Sequence, residues 1–164
     1  MSKTKELVKE TNKQNKYKMS LTKIIAIAGK PGLYEILGQT KGGFITSSLI
    51  NGKKSPVKNT QNVSVLSDIG IYTHETEIPL GQVLLSIHEK FNGNESLSHK
   101  APNHELTALF GEILPEYDEE RVYVSNIKKV IQWYNILIKN EFDFKTINPQ
   151  ISNDPIFDLG KHIF

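Results

Sequence analysis

Three histidines, His88, His99 and His104, are the first side chains whose type suggests chemistry. A closed zinc site needs three or four converging ligands, and a helical histidine pair works at a spacing of four. His99 and His104 are five apart, Glu105 is adjacent, and no HExxH signature occurs. They read as unrelated surface histidines. Glu116, Asp118, Glu119 and Glu120 form an acidic cluster. General acid–base work would require burial to lift a carboxyl pKa toward neutrality. A cluster beside Pro115 and ahead of a helical stretch reads instead as solvated, and it suits the positive end of a helix dipole. Ser47, Ser48 and Ser55 lie outside any GxSxG elbow, so none is assigned as a nucleophile. Gly29-Lys30 follows an apolar run as a phosphate loop would. That motif needs an earlier Gly, then Ser or Thr opening a helix, and here Pro31 follows and the next segment is strand-like. No catalytic, cofactor-binding or metal-binding residue is assigned.

A contact surface is better supported. Lys41, Lys53, Lys54 and Lys58 fall at hairpin ends, with Tyr34, Phe44 and Tyr72 on the intervening strands. Cations interleaved with aromatic rings can hold phosphates and stack bases. The same pattern also describes soluble hairpin tips over a core, because strand alternation turns some of the rings inward. Trp133 flanks the apolar stripe of the last helix, where it either packs between the two modules or marks a partner site. The candidate partner-binding set is therefore Lys41, Phe44, Lys53, Lys54, Lys58 and Trp133.

The elements that must position these residues change character along the chain. Residues 1–19 are polar and lysine-rich and are expected to be a disordered tail, with Met19 a candidate natural start. Ile24–Ala28 is an apolar β-branched run. Lys30-Pro31-Gly32 suits a type II turn centred on Pro and Gly. Strands are expected at Leu33–Thr40, Phe44–Ile50, Lys53–Lys58, Val63–Leu66 and Ile69–Tyr72. Lys41-Gly42-Gly43 and Asn51-Gly52 supply hairpin turns, the latter of type I′. Several short strands joined by tight turns over residues 20–76 suggest a small SH3-like β-barrel. An OB-type barrel, with its longer strands, fits less well.

Past His74 the period becomes helical. Ile78, Val83, Leu84, Ile87 and Phe91 make one stripe, with Pro79 in the first turn. Leu106, Leu109, Phe110 and Ile113 make another. Ile127, Val130, Ile131, Tyr134, Leu137 and Ile138 make the third, with Ser125 placed to cap it. Residues 77–140 are thus expected to form a domain of about three helices, and 141–164 an extended arm packing through Phe142, Phe144, Phe157 and Phe164. The fold class is α+β.

Composition narrows the function. The chain has 164 residues, no Cys and a net charge of +2. Disulfide frameworks and thiolate sites are excluded, which fits a reducing cytoplasm. The N-terminus lacks the apolar core of a secretory signal. Ile24–Ala28 is far short of the ~20 apolar residues a spanning helix needs, so no membrane role is expected. Residues 1–78 carry twelve Lys against six acids, whereas 79–164 carry eight cations against twelve acids. That bipolarity is weaker than the basic face of a dedicated nucleic-acid binder.

Two stretches, LTKIIAIAGKPGLYEILGQTKGGFITSSL with the later SDIGIYT, and RVYVSNIKKVIQWYNIL, resemble a family of uncharacterised small bacterial proteins known mainly from the Bacteroidetes. The resemblance implies a domain of unknown function and supplies no activity. It also implies a natural start near Met19. The expected function is a non-enzymatic binding or adaptor module for a protein partner, without a cofactor and without a small-molecule ligand. The alternative is an RNA- or ribosome-associated protein.

Overall fold

A computed structural model describes residues 19–147 and 162–163. Five strands, β1 (Ile24–Ile27), β2 (Tyr34–Thr40), β3 (Gly43–Ser48), β4 (Lys54–Lys58) and β5 (Val63–Val65), form one antiparallel sheet. Their order is β4-β3-β2-β1-β5. A smaller sheet joins β6 (Ile69–Tyr72) to β7 (Glu77–Pro79) and, in parallel, to β8 (His162–Ile163). Three helices follow β7 along the chain: α1 (Leu80–Lys90), α2 (Asn103–Ile113) and α3 (Val124–Lys139).

The fold class is α+β as expected, but the SH3-like barrel is not present. The five-stranded sheet ends at β4 and β5, which do not pair with each other. β4 is built as an edge: Pro56 has no N–H to donate, and Lys54 and Lys58 are exposed beside it. β6, the strand a closing barrel would recruit, pairs with β7 instead. β7 occupies the three residues directly before α1, where the helical stripe was expected to begin.

Local chemistry explains most boundaries. Ser20 caps a short 3-10 turn at Leu21–Lys23 by accepting from the Thr22 N–H. The hydrogen-bonded turn between β1 and β2 runs from Ile27 to Lys30, with Gly29 at φ 83°, one step before the Pro31-Gly32 pair. At the β3–β4 turn only Gly52 has positive φ, so the turn is not type I′. Asn51 contributes through its side chain, which accepts from Lys53 N–H at 2.9 Å. The start of α3 is held by Asn126, whose Oδ1 accepts from Tyr123 N–H at 2.8 Å, while Ser125 lies inside the first turn.

One apolar cluster runs from Met19 through Ile24, Leu33, Leu66, Ile69 and Leu84 to Phe110, Tyr134, Phe142, Phe144 and Ile147. Each such side chain stabilises the fold by about 1.5–3 kcal/mol on full burial. Strand alternation sends Ile25 and Ile27 to the opposite sheet face. There they form a small second cluster with Val57, flanked by Tyr34, Ile36, Val63 and Val65. Residues 1–18 of the expected tail, and residues 148–161 and 164 of the expected arm, lie outside the described residues, Phe157 and Phe164 among them. Among the described residues no helix is long and apolar enough to cross a membrane.

Candidate functional site

The β3–β4 turn projects Leu49 and Ile50 toward the C-terminal end of α3. Leu49 is pinned on both sides: its N–H donates to Leu33 O at 2.9 Å, and its carbonyl accepts from Asn140 Nδ2 at 2.8 Å. Ile50 lies over Gly32, where an added Cβ would collide with the Ile50 side chain. Gly32 therefore serves twice, at φ 80° in the turn and as the floor beneath Ile50. Even so, Ile50 stays 57% exposed.

The facing wall is the connection between α1 and α2. Ser96 donates to Asn135 Oδ1 through its N–H at 2.8 Å and its hydroxyl at 3.1 Å, and Asn135 Nδ2 donates to Leu97 O at 3.1 Å. These bonds fix the strap Glu95–Lys100 against α3. Gln132, Asn135, Ile136, Lys139 and Asn140 recur at helical spacing and form the base. Together these elements enclose an open cleft of about 620 Å³.

The cleft is cationic. Partial burial, followed by the charges of Lys100, Lys128 and Lys139, holds the His99 imidazole below its ordinary pKa. Lys139 meets Glu95 at 3.6 Å with both side chains more than half exposed, a pair worth little in water. Nearby, burial pushes the Tyr134 hydroxyl up to about 12, and it donates to Asn94 O at 2.7 Å. That bond anchors the start of the strap as a neutral contact.

The sequence-predicted residues are dispersed. Lys41 and Lys58 are exposed at one end of the five-stranded sheet and Lys53 and Lys54 at the other, and none of the four lines the cleft. Phe44 is half-buried on β3 opposite Val57, and Tyr72 lies beneath the Arg121 guanidinium at 3.8 Å. Trp133 is 4% exposed and packs in the main core, so it is not presented to a partner. The histidines do not converge. His88 stacks on Phe144 at 4.4 Å, His104 is exposed on α2, and His99 alone lines the cleft. Among the described residues no three potential ligands are placed to hold a metal ion.

Asp118 pairs with Arg121 at 2.7 Å, a bond that holds its carboxyl below the usual range. Ser47, Ser48 and Ser55 brace the β3–β4 hairpin by hydrogen bonds to Gly52 O, Ile50 N–H and Thr46 respectively. The sequence reading missed Ile50, Asn135 and Asn140. A usable signal was present: Gln132, Asn135 and Lys139 form a polar stripe along the second half of the helix, leading to Asn140 at its end, and Asn is a poor helix former.

Comparison with known proteins adds a family. Residues 21–66 match the model described as Domain of unknown function (DUF5606), and residues 69–137 match Domain of unknown function (DUF6852). No curated protein matches the chain. A structural genomics target from Bacteroides vulgatus, solved in solution by NMR, is 41% identical, with a TM-score of 0.63 over 76% of this chain and 91% of that one. The chain belongs to the same uncharacterised family. Within it, the DUF5606 segment supplies Leu49 and Ile50 to the cleft, and the DUF6852 segment supplies the strap and most of the α3 face. The cleft lies on the seam between the two matched segments.

Proposed function

We propose that the protein is a non-enzymatic binding module that takes a segment of a protein partner into the seam cleft. The observation that carries this reading is the exposed Ile50, held over Gly32 at the mouth of a cleft whose walls are fixed by hydrogen bonds. A pre-formed concave site with an apolar anchor point and a few polar groups is the usual form of a recognition site. Asn135 and Asn140 are occupied in bracing backbone carbonyls, so they shape the site rather than react. A cytoplasmic setting accompanies the reading, since the chain has no Cys for disulfide stapling.

The test is quantitative affinity purification from native cells with the wild type and with Ile50→Ser, each with and without nuclease. The expected outcome is a protein that survives nuclease and is depleted by the substitution. A second reading, association with RNA, draws on residues 36–67, which hold Lys41, Lys53, Lys54 and Lys58 and no acidic residue. Phosphate binding predicts affinity that falls steeply with salt. Partners that disappear with nuclease and are indifferent to Ile50 would favour it over the cleft reading.

A further inference from the structure

We infer that the ligand of the seam cleft is an acidic peptide segment in which carboxylates flank an aliphatic side chain. The inference rests on the binding-module reading and deepens it by naming the chemistry of the partner. Its basis is charge and shape. Lys100 and Lys139 line the cleft, and Lys128 lies close enough to act on His99 beside them. Among the described residues the acid lining the cleft is Glu95, already engaged with Lys139 in a long, exposed pair. A ligand carboxylate can replace Glu95 there at little cost, because such pairs contribute about 0–1 kcal/mol. Among the described residues the apolar part of the lining is aliphatic, Leu49, Ile50 and Ile136, and the one ring is the His99 imidazole. Base stacking relies on aromatic platforms, so this lining fits a Leu or Ile side chain better than a nucleobase. Bidentate phosphate recognition favours Arg, and the chain's Arg121 is committed elsewhere, to Asp118 and the Tyr72 ring. The occupant that matches both halves of the site is therefore a peptide.

The experiment is an NMR titration of the full-length, uniformly ¹⁵N-labelled chain. The probes are a short blocked peptide alternating Asp and Leu, its Lys/Leu and Asp/Ser counterparts, and oligouridine. The Asp/Leu peptide is expected to move the amides of Ile50, of the strap 96–100 and of 132–140. Removing either half of its chemistry, in the Lys/Leu or Asp/Ser probe, weakens binding about tenfold or more, the equivalent of about 1.4 kcal/mol. Lys100→Glu with Lys139→Glu weakens the Asp/Leu peptide similarly, and Ile50→Ser does so independently. These positions are exposed, and preserved spectral dispersion verifies that each variant folds. No shifts with the Asp/Leu peptide at about 1 mM, or shifts confined to another surface, overturn the inference. So does equal binding of the Asp/Ser peptide. If the peptide fails while Ile50→Ser still depletes a nuclease-resistant partner, the ligand class is wrong and the cleft reading stands. If oligouridine alone moves the cleft amides, both fall.

Discussion

Asn140 is where the two walls of the cleft are tied together, and replacing it tests that joint. Its Nδ2 donates to Leu49 O and to Ile136 O, each at 2.8 Å. A net hydrogen bond contributes about 0.5–1.5 kcal/mol, so Asn140→Ala is expected to cost about 1–3 kcal/mol. Because the site is half-buried and water can reach part of it, the lower half of that range is the expected value. For a chain of this size that is a drop in Tm of about 2–8 °C. Asn140→Asp is nearly isosteric but turns two donors into acceptors facing two carbonyls. It also places an anion at the negative end of α3, for a further cost of about 0.3–1 kcal/mol. The Asp variant should therefore be less stable than the Ala variant at neutral pH. Facing two carbonyls, the new carboxyl must have a folded pKa above its unfolded value. The folded state then binds more protons, and the deficit relative to Ala shrinks as pH falls through that raised pKa. Urea unfolding followed by the fluorescence of Trp133, the single and buried tryptophan, reads these differences directly. An Asp variant as stable as wild type at neutral pH, or a deficit that does not change with pH, would refute the assignment of Asn140 as a double donor.

Two further outcomes follow from the same geometry. An added Cβ at Gly43 would run into the Val57 backbone carbonyl, whereas nothing lies within 4 Å of one at Gly42. Gly43→Ala should cost about 1–3 kcal/mol or more by forcing β3 and β4 apart, and Gly42→Ala should stay within about 0.5 kcal/mol, as thermal melts of both can show. His99 should titrate below the ordinary imidazole value in NMR, since burial and then Lys100, Lys128 and Lys139 disfavour its cation. Lys100→Gln should raise that pKa. Because the folded pKa lies below the unfolded one, His99 leaves stability untouched above about pH 6.5. It lowers stability as pH falls from there to the folded pKa. A His99 titration at or above the unfolded value would contradict the placement of these charges.

The helices were legible because their apolar residues carry a local period. Leu106, Leu109, Phe110 and Ile113 specify one face of α2 without reference to any other element. Trp133 was harder to place. It sits beside Tyr134, and both are buried because α3 is covered over a wider arc than a single stripe implies. The strands up to β6 were legible for the same local reasons, but their partners were not, and β7 was read as the start of a helix. Nothing near Ile69–Tyr72 states that it will pair with Glu77–Pro79 rather than close a barrel, because strand pairing is decided by the whole assembly. The cleft was hidden for a similar reason. Ile50 looks like one more hairpin residue until the chain brings Asn140 to Leu49 across ninety-one positions. A single position such as His99 could be noticed, but its neighbourhood with Lys139 and Ile50 is a property of the tertiary fold.

The continuity of the main apolar cluster has a consequence for how the two matched segments can exist. Leu21, Ile24, Leu33 and Leu66 from the first share one buried cluster with Leu80, Leu84, Phe110 and Tyr134 of the second. Baring those four to water would forfeit about 6–12 kcal/mol, which is comparable to the entire margin that keeps an ordinary domain folded. Neither segment is therefore a portable module that recombination could graft alone onto an unrelated chain. Each covers apolar surface of the other, and a break in the backbone near Ser67 would leave two fragments with strong reason to find each other again.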